Sequence, residues 1–153
     1  MNTKFKFLLL IVFSVLQLIF AQAASAGVDI SECEAYRQRS DELQCSEDGY
    51  FINFGERYCQ IFVEKNHRFT AHGQDVLAYL RTCLIESMQT DQNMTCDNAK
   101  DLAEDHHYNC YMESGYCSMG YYDRFHLGWI VRQQFFDPGF LLVSEKINRA
   151  CTF

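Results

Sequence analysis

The chain has 153 residues, 48% of them hydrophobic and 22% charged, with eight glycines and one proline, which excludes a collagenous or Pro/Gly-rich disordered chain and points to one ordered domain. Thirteen Phe, nine Tyr and one Trp supply material for a core. The formal charge of −7, with no cluster of Lys and Arg, excludes a nucleic-acid binder, because such a protein must neutralise phosphates.

The first element in chain order is a leader. Lys4 and Lys6 precede an apolar run over residues 7–20, broken only by Ser14 and Gln17, and small residues follow. This is the pattern of a secretory signal peptide, with cleavage expected after Ala26 in Ala24-Ser25-Ala26 rather than at Ala21-Gln22-Ala23. The run is short against the roughly 20 apolar residues that cross a bilayer. Residues 1–26 are therefore read as signal peptide and 27–153 as one secreted domain, with no membrane insertion after cleavage.

Helical periodicity governs the remainder. Ser31 with Glu34 three positions on reads as a capping box opening a first helix to about Leu43. Residues 54–65 make a second, with Cys59, Phe62 and Val63 on one face. Thr70 caps a third, in which Val76, Leu77, Leu80, Cys83 and Leu84 form the stripe of a helix buried on one side. Thr95 or Asp97 opens a fourth, aligning Ala99, Ala103, His106 and Cys110 and stopping at Gly115. Residues 123–134 make a fifth, ended by Asp137-Pro138-Gly139, and residues 140–150 a sixth that aligns Val143, Ile147 and Cys151. No apolar/polar alternation is long enough to anchor a sheet, and no repeat or low-complexity linker divides the chain. The expected fold is all-α, a compact disulfide-stapled domain of about six helices.

Secretion sets the reading of the eight cysteines, because an oxidising compartment makes disulfides the default. Cys33, Cys45, Cys59, Cys83, Cys96, Cys110, Cys117 and Cys151 all follow the leader, and no C-x-x-C occurs, which argues against a zinc knuckle or a thioredoxin-type site. Eight cysteines admit about a hundred connectivities, and spacing alone does not choose among them. One bridge is physically natural: Cys83 and Cys110 lie on core-facing stripes of adjacent helices.

The ordered spacing resembles the stanniocalcins, secreted disulfide-rich glycoprotein hormones associated with calcium and phosphate balance. Asp48-Gly49-Tyr50 lies between Cys45 and Cys59, as an aspartate-glycine pair lies between two cysteines in that family. Phe69-Thr70-Ala71-His72-Gly73 stands like the family's Phe-x-x-x-Gly box, fourteen residues ahead of Cys83. Cys96 to Cys110 spans fourteen positions and Cys110-Tyr111 to Cys117 spans seven, both as in the family. The resemblance covers Cys33 to Cys151 and implies the pairs Cys33–Cys59, Cys45–Cys96, Cys83–Cys110 and Cys117–Cys151. Two departures stand beside it. The segment Phe51-Ile52-Asn53-Phe54-Gly55 lengthens the gap before Cys59, and the family's further intrachain pair and C-terminal chain-linking cysteine have no counterpart, so a covalent dimer is not expected.

Other chemistry finds less support. Asn93-Met94-Thr95 is the single N-x-Ser/Thr sequon, and secretion makes Asn93 a glycosylation acceptor on the loop between the third and fourth helices. His107 stands three residues before Cys110, as the catalytic His of secreted phospholipase A2 stands before a cysteine, but no Asp follows it and no glycine-rich calcium loop precedes it, so no enzyme is expected. His72, His106 and His107 with Glu104 and Asp105 are read as one core-edge and one solvated histidine beside a solvated acidic face over residues 97–105, rather than as a metal site, and no cofactor is expected. Among Tyr116, Tyr121, Tyr122, Phe125 and Trp129, the helix-spaced Phe125 and Trp129 read first as core and second as a partner anchor. The function expected is hormone-like action through an extracellular protein receptor or target. The alternative is a secreted helical carrier of a small apolar ligand, although the C-x-x-x-C of insect odorant-binding proteins is missing.

Overall fold

The computed structural model describes residues 30–151, so the expected signal peptide lies outside the described residues. Six α-helices carry the fold: α1 (Glu34–Leu43), α2 (Arg57–Lys65), α3 (Ala71–Thr90), α4 (Ala99–Glu113), α5 (Tyr121–Ile130) and α6 (Pro138–Ala150). Among the described residues there is no strand, and the chain is an all-α domain closed by four disulfides.

α3 is the spine. Its 20 residues span about 30 Å at 1.5 Å per residue, enough to serve two cores. Val76, Leu77 and Leu80 join Tyr58 of α2, Cys110 of α4, Leu127 of α5 and Ile147 of α6 in the main core. Near its end Met88 joins Cys33, Tyr36, Phe51, Cys59 and Ala99 in a second. The apolar stripe read from the sequence is thus the seam, with Cys83 and Leu84 at its half-buried margin. α4 packs against both α3 and α6. Its buried Ala99, Ala103 and Cys110 make one contact face, and the small alanines permit close approach.

Thr70 caps α3 as expected, its Oγ1 accepting the Gly73 N–H at 3.2 Å. Gly115, at φ +82°, turns the chain just past α4, a backbone conformation that a Cβ disfavours. Other boundaries differ from the sequence reading. Ser31 makes no cap, because it lies inside a 3₁₀ turn, Ser31–Cys33, that starts the first helix early. α2 is preceded by a π-helical turn, Phe51–Glu56, which begins three residues before the expected start and buries Phe51 and Glu56. The buried Glu56 carboxylate accepts from Arg37 Nη2 at 2.7 Å and from Nε at 3.2 Å, tying this turn to α1. α4 starts at neither Thr95 nor Asp97 but after Asn98; Thr95 and Asn98 instead bond one another, each side chain accepting the other's backbone N–H. α5 starts two residues before Asp123 and gives way to a 3₁₀ turn, Arg132–Phe136, short of the expected end. Asp137-Pro138-Gly139 does more than end a helix: Asp137 caps α6 through the Phe140 N–H at 3.1 Å, and Pro138 occupies its first turn, where its missing N–H costs nothing.

Candidate functional site

The bridges define the frame on which any site is held. They join Cys33 to Cys59, Cys45 to Cys96, Cys83 to Cys110 and Cys117 to Cys151, and no described cysteine is free. These are the four pairs that the stanniocalcin resemblance implies, and Cys83–Cys110 crosses the α3/α4 seam where the two stripes face. Four disulfides fit an oxidising compartment, and no described helix is long and apolar enough to cross a membrane. The sequon lies on the loop between α3 and α4 with Asn93 and Thr95 exposed and Met94 buried, which anchors the loop while leaving the acceptor side chain outside.

A cavity of about 780 Å³ lies between α4, α5, α6 and the π-helical turn. One wall is a row of rings. Tyr50 stacks on Phe54 at 5.3 Å, Phe54 meets the edge of His107 at 6.0 Å, His107 lies along Tyr111 at 6.5 Å, and Tyr111 meets Tyr116 edge-on at 4.9 Å. α4 supplies the middle of this row because Lys100, Glu104, His107 and Tyr111 follow at steps of four, three and four residues, which places them on one face. The opposite wall is apolar, with Leu127, Val131, Phe140, Val143 and Ile147.

The polar groups in this wall are held in defined states. His107 Nδ1 lies 2.6 Å from the Ala103 carbonyl, so that nitrogen carries the hydrogen and Nε2 is left as an acceptor. Burial pulls the His107 pKa below its ordinary value and keeps the ring neutral. Burial likewise raises the Tyr111 phenol, and it raises the Glu104 carboxyl against the opposing pull of Lys100. At one end Lys100 pairs with Asp137. At the other, the Arg124 guanidinium lies 5.1 Å above the Tyr116 ring and donates from Nη2 to the Cys117 carbonyl at 2.5 Å.

The histidines do not converge. His72 Nε2 is 3.0 Å from Ser118 Oγ, His106 Nε2 is 3.0 Å from Asp91 Oδ2, and His107 faces the cavity. The expectation of a solvated histidine beside a core-edge one is corrected for this pair, because α6 and the π-helical turn close over the side of α4 that carries His107. The acidic face is solvated at Asp97, Asp101 and Asp105, but Glu104 turns into the cavity wall. The described side chains nearest to a metal-binding geometry are Glu32, Cys33 and Cys59, and the two sulfurs are bonded to each other, so neither is a thiolate donor.

The aromatic concentration after Gly115 divides. Tyr116 is buried and donates its hydroxyl to Asn148 Oδ1 at 3.3 Å. Tyr121, Tyr122, Phe125 and Trp129 are 85%, 56%, 55% and 57% exposed, so the core reading of Phe125 and Trp129 is overturned and α5 presents an aromatic face to solvent. Asp123 and Leu127 are the buried residues of α5, with Val131 buried just past its end, and they lie away from the exposed aromatic side. Comparison with protein-family models, curated proteins and solved structures finds no match to the chain.

Two carboxylates, Asp91 just past α3 and Asp137 at the start of α6, tie those helices to α4 and set an acid limit. The Asn93 N–H and, after it, His106 hold Asp91 below the ordinary 3.8, and Lys100 with the Phe140 N–H does the same for Asp137. A carboxyl with a folded-state pKa lower than its unfolded one stabilises the fold above the unfolded pKa, and that contribution is lost as pH falls through the folded pKa. The thermal midpoint is expected to be flat in these terms above about pH 5 and to fall below about pH 4. Asp137→Asn, which keeps the cap acceptor but loses the charge facing Lys100, should shallow the fall between pH 5 and 2 in a calorimetric series; an unchanged slope would exclude Asp137 as a contributor.

Proposed function

We propose that the protein is a secreted, stanniocalcin-like glycoprotein that acts by binding an extracellular protein, with calcium or phosphate balance as the physiological setting that the resemblance implies. The observation that carries this reading is the bridge set: four pairs in the order that the resemblance implies, on an all-α frame. Two further features support it. Asn93 is exposed on its loop, and the aromatic face of α5 has the side chains that serve as anchors when one protein buries part of its surface in another.

The test uses protein purified from the medium of expressing cells, and compares the parent chain with a Phe125→Ser/Trp129→Ser variant in affinity capture from extracellular fluid and surface membranes. The expected result is a chain that has lost residues 1–26, carries a glycan removed by glycosidase and absent from Asn93→Gln, and retains one stoichiometric partner that the variant loses. Retention of Met1 in a membrane fraction, or equal capture by parent and variant, would overturn the reading.

A further inference from the structure

The cavity carries a charge that the fold leaves uncompensated. Its two cationic wall residues differ in this respect: Lys100 is paired with Asp137, whereas Arg124 has no carboxylate partner among the described residues. The contacts of Arg124 are the Cys117 carbonyl and the Tyr116 ring, and its Nε is buried without a hydrogen-bond partner. A guanidinium beside a mostly apolar space is a costly arrangement unless an anion completes it. The volume, about 780 Å³, is within the range of small-molecule sites.

We propose that this cavity is a binding site for a small amphipathic carboxylic acid, its carboxylate on Arg124 and its apolar body along the ring row from Tyr116 to Tyr50. The polarity of the wall orders the ligand in this direction. Glu104 and Tyr111 are seven residues apart on α4, about 10 Å of helix rise, so the acidic end of the wall lies well away from the Arg124 end. Tyr121 and Phe125, both exposed and both lining the cavity, mark the mouth by which such a molecule enters. Phe125 belongs to both this mouth and the aromatic face of α5, but the groups that decide binding here, the Arg124 guanidinium and the rings from Tyr116 to Tyr50, lie outside the pair changed in the protein-binding test.

The test titrates the purified, oxidised chain with dansylaminoundecanoic acid and with its methyl ester, following fluorescence. One acid per chain is expected, with the ester at least about tenfold weaker, the size of effect that a charge-assisted pair gives. Arg124→Gln should bring the acid to the affinity of the ester while leaving the ester unchanged. Because Arg124 also supports the Cys117 carbonyl, a second variant guards against misfolding. At Gly128, which lines the cavity, an added Cβ meets only Phe135, at 4.0 Å, so the first carbon of Gly128→Leu fits, its branch occupies cavity space, and the change favours the helix. It should abolish binding of both probes with no loss of helicity. Equal affinity for acid and ester, undiminished binding to Gly128→Leu, or a signal that tracks self-association in sedimentation would each overturn the proposal.

Discussion

A paired Cys83→Ala/Cys110→Ala change is expected to lower stability by about 5 kcal/mol, which is enough to remove most of a domain's net stability and with it most of the folded yield. The bridge closes a sequence separation of 27, worth about 3.5 kcal/mol on the chain-entropy account. Burial adds the rest. Cys110 is fully buried in the main core against Leu80 and Ile147, and truncation leaves a void where α3 meets α4. Cys45–Cys96 closes a longer separation of 51, worth about 4 kcal/mol by the same account. Its Cys96 is exposed on the α3–α4 loop, so the folded state also gains freedom when this bridge is cut, and the net loss should be smaller. Thermal midpoints and folded yields of the two paired variants check the order. Equal or reversed losses would show that burial does not decide it.

The second large effect belongs to Asp123. Its side chain is 1% exposed, and its carboxylate accepts the Thr70 N–H at 2.9 Å and the Thr70 hydroxyl at 2.5 Å, while that hydroxyl accepts from Gly73. A residue of α5 therefore completes the cap of α3, 53 positions away in sequence, with its negative charge at the positive end of the helix. Asp123→Ala should cost about 3 kcal/mol, because it removes two bonds to a charged acceptor and leaves the Thr70 N–H orphaned. Thr70→Val should cost less alone, and the double variant should cost clearly less than the sum of the two; additive losses in denaturant titration would sink the pairing. The same closeness explains Gly73, where an added Cβ would come within 2.6 Å of the Asp123 carboxyl carbon, so Gly73→Ala should destabilise although alanine favours helix.

What was legible in the sequence was local or periodic. The α3 stripe, the Thr70 cap, the stop at Gly115 and the facing of Cys83 and Cys110 all follow from spacing within one helix or from the chemistry of one turn. Asp123 was read as a helix start because the residue that it serves is remote, and no local pattern announces a π-helical turn at Phe51–Glu56. Asp137 shows a different failure: an Asp-Pro-Gly triplet that reads as a helix stop closes only the 3₁₀ turn with its Asp137 N–H, while Asp137 Oδ1 starts α6 by accepting the Phe140 N–H. The cavity wall left a trace that the acidic composition of α4 obscured. Lys100, Glu104, His107 and Tyr111 keep helical spacing and mix one aromatic ring with charges, which reads as a solvated face until α6 is laid against it.

The order of the bridges gives α1 a duty beyond packing. Cys33 and Cys45 are neighbours in the order of the cysteines, yet neither is the other's partner: Cys33 pairs with Cys59 and Cys45 with Cys96. α1 occupies the ten residues Glu34–Leu43 between them and, once wound, sets them about 15 Å apart, far beyond the roughly 4.4–6.8 Å between Cα atoms that a bridge tolerates. In the folded chain this helix is therefore a spacer that holds the two neighbouring cysteines out of each other's reach. Two of its salt bridges, Arg37 to Glu47 and Arg39 to Glu42, lie in or just beyond that segment, and a third ties Arg37 to Glu56. Cys117 and Cys151 need no such spacer, because these two neighbours in the order of the cysteines belong to each other.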